Sequence, residues 1–283
     1  MFMKNSEEGD RTKKIILWIL SFFVTLLVAY YQRISGPTYP LKEKHRIASN
    51  VFYSHFPRSC TRGKECEISV QVSFPGGKSE KIFLKNINGK IKLKRHKSYD
   101  KWKYLDLAKE GARLRYILPE QPSGGKLEYQ VFVYNENRLL FETPLVIVRF
   151  KNEVPPLILS LHIFFVFLFL FFTSRIFFGF FERGYIFKHT VLLNILFLIL
   201  GGFVFGPMTQ KYAFGAYWTG FPCGKDLTDT KALVMLVFWM VAAYFVLRNK
   251  KSQKYWLFLA FLVTFVAYFI PHSLFGTEIN YLE

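Results

Sequence analysis

The chain has 283 residues, 51% of them apolar, with 33 Phe and a formal net charge of +18. Apolar sequence gathered into long uninterrupted runs argues against a purely soluble protein. The charge is unevenly placed. Residues 36–153 carry 23 basic and 12 acidic side chains, net +11, and the rest carries 15 and 8, net +7, together with every long apolar run. One soluble domain and one membrane domain are the economical division.

In chain order, Arg11, Lys13 and Lys14 precede a first apolar run, Ile15–Tyr31. Charge followed by an apolar stretch fits a signal anchor or a cleaved signal peptide. Ala29-Tyr30-Tyr31 and Ser35-Gly36-Pro37 make poor cleavage sites, so residues 1–35 are expected to be a cytoplasmic tail and an uncleaved anchor.

Residues 36–153 break into short β-rich pieces. The predicted strands are Asn50–Phe56, Cys66–Phe74, Glu80–Ile87, Lys90–Lys97, Ala112–Leu118, Leu127–Tyr134 and Leu139–Phe150, with a short helical turn in Asp100–Gly111. Pro75-Gly76-Gly77, Asn88-Gly89, Pro122–Gly125 and Asn135–Asn137 are the predicted turns. Seven short strands in about 110 residues suggest an antiparallel β-sandwich. Lys90, Lys92 and Lys94 alternate with Ile91 and Leu93, and with Arg95 and Lys97 they form a basic stripe on one face. The stripe is either an anion site or a lysine-guarded edge. Cys60 and Cys66 are close enough in sequence to close a disulfide in an oxidising compartment. The spacing is no zinc signature.

Four further runs complete five predicted transmembrane helices: Leu157–Thr173, Thr190–Phe205, Ala232–Leu247 and Tyr255–Ile270. The link 248–254 holds four cations and no acid, which marks it cytoplasmic by the positive-inside rule. Propagating that side puts the N-terminus and Ser174–His189 inside. Residues 36–153, the 207–231 loop and the C-terminus then fall outside. Residues 154–283 thus form a four-helix membrane domain. The 207–231 loop is predicted to lack regular structure and to serve as a lid or an interfacial belt.

His162, in the second run, and His272, after the fifth, both fall at the outer leaflet. Ionisable groups there default to functional candidates. With Asp226, Asp229 and Glu278 they allow a His/carboxylate site for a metal, a haem or a quinone. The structural alternative makes Asp226 an N-cap, Asp229 a first-turn acid and His162 an interhelical hydrogen-bonder.

Gly36–Pro40 (GPTYP), Trp218–Pro222 (WTGFP) with Asp226–Asp229 (DLTD), and Pro271–Ser273 (PHS) with Gly276 and Glu278 resemble segments of a group of uncharacterised bacterial polytopic inner-membrane proteins. That resemblance implies a bacterial envelope setting and no particular reaction or cofactor. Ile117–Val131 also resembles the corner of immunoglobulin-like or fibronectin-type sandwiches, with Tyr129 in the place of their corner tyrosine, which implies a binding module. No phosphate-binding glycine loop, GxSxG, HExxH or CxxCH occurs. The expected function is therefore non-enzymatic: a membrane-anchored basic module holding an envelope partner or anionic ligand, alone or as a subunit of a larger complex, with nucleic acid a poor candidate because the module faces outside. A membrane enzyme or redox protein, and more weakly a transporter, are the alternatives.

Overall fold

The computed structural model describes residues 2–47, 50–73, 86–271, 279 and 281–282, with side chains from residue 9 onward. The chain divides into two compact units, Met1–Pro37 with Val154–Gly276, and Thr38–Glu153 with Thr277–Glu283.

In the first unit, apolar runs too long for strands become helices. These are α1 (Phe2–Ser35), α2 (Pro156–Gly179), α3 (Phe187–Leu198), a π-helical turn Ile199–Phe205, α4 (Gly206–Phe214), α5 (Leu227–Leu247) and α6 (Gln253–Phe269). Gly9–Ser35, Pro156–Gly179, Phe187–Phe214 and Leu227–Leu247 are long and apolar enough to cross a membrane, and Gln253–Phe269 is shorter. The helices pack through Phe169, Ile176, Val191, Leu198, Trp239, Ala242, Leu257 and Ala260. Several of the buried polar groups bond to one another or to backbone, as hydrocarbon favours. The Trp239 indole N–H donates to Thr264 Oγ1 at 2.9 Å, and that hydroxyl donates to the Ala260 carbonyl at 2.8 Å. The side chain of Gln32 ties α1 to the Tyr268 and Ile270 carbonyls.

The long third helix corrects the expectation of an irregular 207–231 loop, because helix continues to Phe214. Pro207 lacks an N–H and would normally stop it. Here the backbone widens into the π turn just before the proline, and the Gly206 N–H reaches back five residues to the Gly201 carbonyl.

The described residues of the second unit form eleven strands: β1 (Leu41–Ile47), β2 (Asn50–Phe56), β3 (Ser59–Thr61), β4 (Glu67–Ser73), β5 (Ile87–Arg95), β6 (Lys103–Asp106), β7 (Ala108–Glu110), β8 (Arg113–Ile117), β9 (Lys126–Asn135), β10 (Arg138–Glu142) and β11 (Val146–Lys151). One sheet has the order β1-β2-β4-β8-β7 and the other β3-β11-β9-β5-β6, with β10 also on β9. Every described pairing is antiparallel except that of β3 with β11. Alternate side chains of both sheets, among them Phe52, Ile68, Val70, Ile91, Tyr129, Val131 and Val148, form one apolar core. Cys60 in β3 and Cys66 beside β4 are joined by a disulfide that links the two sheets.

Several predicted elements are corrected. Asn88-Gly89 is not a turn but lies inside β5, paired with Tyr134 and Val133. A Cβ at 89 would sit 3.1 Å from Leu114 Cδ1 and 3.3 Å from Leu107 Cδ2, so glycine serves close packing there. The Asp100–Gly111 stretch holds β6 and β7 rather than a helical turn. The single strand Leu139–Phe150 is broken at Thr143-Pro144, where Pro144 has no N–H for the ladder. Thr143 spans the break: its N–H donates to the Val131 carbonyl and its hydroxyl accepts the Val131 N–H, both at 3.0 Å. Most of the predicted strand Glu80–Ile87, with the turn at 75–77, lies outside the described residues.

Gly89→Val is expected to overpack this core and lower stability by about 1–3 kcal/mol, whereas the exposed Asn88→Ala changes it little. Chemical denaturation of the detergent-solubilised protein, followed by far-UV circular dichroism, measures the difference. Equal stability of the two variants would contradict the packing role of Gly89.

Candidate functional site

His162 does not stand free in its helix. Its Nδ1–H donates to the Gly201 carbonyl at 2.9 Å, the oxygen that also receives the Gly206 N–H. A carbonyl only accepts, so Nδ1 carries the proton and that tautomer is fixed by the fold. Gly201 allows the approach, since a Cβ there would lie 2.9 Å from the Val166 backbone nitrogen. The imidazole thus supplies the hydrogen bond that the π turn needs. His272 and Glu278 lie outside the described residues.

Asp226 and Asp229 likewise organise backbone. Asp226 Oδ1 accepts the Thr228 N–H at 2.8 Å, capping α5. Asp229 Oδ2 accepts the Thr219 and Gly220 N–H groups at 2.8 and 3.1 Å. Gly220 is pressed onto this turn: a Cβ would fall 2.5 Å from the Cβ of Asp229. The Trp218–Pro222 and Asp226–Asp229 segments are therefore two halves of one closure over the start of α5. Trp218 stacks on Phe203 with ring centroids 5.7 Å apart. Cys223 in the same loop is exposed and free. Among the described residues, no three His, Cys, Asp or Glu side chains converge as a metal site would require.

The predicted basic stripe on β5 is real but largely occupied. Arg95 makes two bonds to Asp100, at 2.6 and 2.8 Å, and its guanidinium lies 4.9 Å from the Tyr281 ring. Lys94 lies 3.9 Å from Glu128 and 5.1 Å from the Trp102 ring, which also carries Lys92 at 5.1 Å. Glu128 is shared with His96 at 2.6 Å. Lys97 turns the chain in the left-handed conformation at φ 51°. Lys90 is left exposed.

A second basic surface lies on the outer face of the other sheet. Register places Lys42, His55, Ser69 and Arg115 in one cross-strand row, and Lys44, Tyr53, Gln71 and Arg113 in the next. Each row has a cation at both ends and hydrogen-bonding or ring groups between. A groove of about 510 Å³ runs over these rows, lined by Lys42, Lys44, Tyr53, His55, Gln71 and Arg113 among others. Arg113 is paired with Glu67, and Lys44 lies 5.5 Å from the Tyr53 ring. Burial, then Lys42, push the His55 pKa down, Arg113 adds to this, and Glu67 opposes it. Sequence reading overlooked this face because Lys42, His55, Gln71 and Arg113 come from four separated strands. The alternation in Leu41–Ile47 was its one available signal.

The Tyr129 hydroxyl donates to the Pro57 carbonyl at 2.8 Å. A corner tyrosine bonds backbone a few residues upstream; this one lies 72 residues away in sequence. Tyr129 therefore fastens the β2–β3 link, and the expected corner is not formed. No protein-family model, curated protein or solved structure matches the chain.

Arg95 beside it holds the Asp100 carboxyl down at about 2, from an ordinary 3.8. The folded value is the lower one, so the pair's contribution is present above pH 3.8 and fades as pH falls toward 2. Arg95→Ala is expected to return Asp100 to its ordinary range, read by carboxyl NMR titration. An unmoved titration would contradict the assignment.

Proposed function

We propose that the chain is a multi-pass membrane protein that holds a basic two-sheet β domain outside the membrane and binds an anionic ligand on it. Five spans follow if Gln253–Phe269 crosses as well; its flanking Tyr255 and Trp256 lengthen it into the interface. The cationic link 248–254 supports a cytoplasmic position for that end, and a bacterial envelope setting follows from the resemblance. The observation that carries the binding reading is the groove over Lys42, Lys44, His55 and Arg113. An acidic polysaccharide matches it best: cations at the row ends meet its carboxylates or sulfates, and Tyr53, Ser69 and Gln71 meet its ring and hydroxyls. The stripe 90–97 serves instead as a guarded surface, its charges already answered by Asp100, Glu128 and Trp102.

The test is retention of the purified full chain on an immobilised sulfated polysaccharide. Lys42→Ala/Lys44→Ala is expected to weaken binding at least tenfold, and Lys90→Ala/Lys92→Ala by less than twofold. Binding should also strengthen as pH falls below about 6.5, where histidine begins to charge, and His55→Gln should flatten that dependence. Equal loss in both lysine pairs would sink the groove in favour of diffuse charge.

Sidedness has its own reporter, because Cys60 and Cys66 are bonded and Cys223 is the free thiol. A membrane-impermeant maleimide is expected to label Cys223 in intact cells. A cysteine placed at Ser252 in a Cys223→Ser background should label only after the membrane is opened. Labelling at 252 from outside would overturn the orientation.

A further inference from the structure

At one end of the helical unit, the 180–186 link and the 248–252 link enclose a cavity of about 370 Å³. Its walls include Glu182, Tyr185, Lys188, Asn249, Gln253 and Lys254. It is built where two helices begin. The first residues of α3 (Phe187, Lys188) and of α6 (Gln253, Lys254) line it, so both helix N-termini present their positive ends there. Neither has a side-chain cap: Ile186 has no side chain able to accept and Ser252 makes no such bond, though the Gln253 N–H is taken by the Lys250 carbonyl at 2.9 Å. Neither first turn contains an acid. Both instead carry a lysine at the second position, the unfavourable sign for a helix start. A cavity that gathers two N-termini without side-chain caps and two lysines is electrostatically incomplete without an anion.

A further observation lies behind the wall. Arg175 is 1% exposed, and its guanidinium packs 4.2 Å from the Tyr185 ring and 4.8 Å from the Trp18 ring. One of its nitrogens pairs with Glu182, while Nε and Nη1 have no hydrogen-bond partner. Both Glu182 and Tyr185 line the cavity. Arg175 therefore neutralises the wall's single carboxylate and leaves the charges of Lys188 and Lys254 uncompensated. Ile186 in the wall exposes apolar surface, as do Phe181, Leu247 and Tyr255, each next in sequence to a lining residue.

We infer that this cavity is a phosphate site, filled by the headgroup of an anionic phospholipid whose acyl chains lie against these apolar side chains. Basic pockets between membrane helices suit such headgroups, and the lysines provide the charge while the positive ends of the two helices provide direction. The inference needs the helices to lie in a bilayer. It does not depend on the external groove or its ligand.

Native mass spectrometry of the full chain in detergent tests it, with phosphatidylglycerol, phosphatidylcholine and glycerol 3-phosphate as probes. Phosphatidylglycerol is expected to be retained at least tenfold more tightly than phosphatidylcholine. Lys188→Gln/Lys254→Gln should abolish that preference, and Lys250→Gln/Lys251→Gln, which removes the same charge outside the cavity, should preserve it. Thermal unfolding without lipid checks that both double variants are folded; if the cavity pair is not, Lys254→Gln alone is expected to cut the preference at least threefold. Equal loss in the two pairs would reduce the site to general surface attraction. Glycerol 3-phosphate binding as tightly as the lipid would overturn the headgroup assignment in favour of a soluble phosphate. No preference between the two lipids would overturn the site altogether.

Discussion

Backbone N–H and C=O groups in hydrocarbon must find partners within the protein, and Pro207 is where that demand is hardest to meet. A proline in an apolar helix removes one donor and displaces the carbonyl before it. The π turn Ile199–Phe205 absorbs the misfit, and the Gly201 carbonyl at its heart is satisfied twice, by Gly206 and by His162. Gly201 must lack a side chain for α2 to come this close. Continuation of helix to Phe214 depends on that arrangement, and so does the position of Gln210, whose amide bonds the Thr219 hydroxyl in the closing loop. π-bulges often accompany functional sites; here the bulge, the histidine and the glycines form one structural device.

The same constraint sorts the cations. Where a carboxylate or an aromatic face is within reach, Lys and Arg are used by the fold: Arg95 with Asp100, Lys94 with Glu128 and Trp102, Arg62 with Glu120. Such exposed pairs contribute little stability each, yet they remove charge from the ligand-accessible surface. What distinguishes a binding surface in so basic a chain is therefore the absence of an answering group, not the density of lysine. By that criterion the stripe on β5 is weak, although it is the densest run of cations in the sequence. In the two groove rows Arg113 and Arg115 are answered by Glu67 and Glu110, so Lys42 and Lys44, and the start of α3 with that of α6, are the stronger places.

How much of this was legible in the sequence follows from the range of each interaction. Apolar runs locate helices because length and composition alone decide whether a segment suits hydrocarbon. The N-cap at Asp226 is readable because its partner is two residues away. Strand β2 matches its predicted bounds because Val51–Phe56 is rich in β-branched and aromatic residues and Pro57 follows it. Asn88-Gly89 misled because a local turn signal and a glycine demanded by Leu107 and Leu114 look identical in one dimension. Thr143-Pro144 shows the reverse, a strand break whose donors and acceptors come from β9. The groove combines four strands and was invisible for the same reason. Tyr129 could be marked as buried and bonded, but not as bonded to Pro57.

The residues that stand out in a membrane sequence by rarity are thus a biased guide to function. His162, Asp226 and Asp229 are polar at the margins of apolar runs, and rarity there invites a catalytic reading. Each bonds a backbone group: Asp226 and Asp229 take up N–H groups of a tight loop, and His162 gives the Gly201 carbonyl its second donor. Lys188 and Lys254 attract no such notice, because lysines flanking membrane helices are common. Their position relative to the helix ends sets them apart: a cation at a helix start opposes the local dipole, and two such starts, neither with a side-chain cap, share one cavity. A fold that tolerates this twice, while satisfying far harder groups at Gly201 and Thr219, leaves that cavity as the point where an external anion completes the electrostatics.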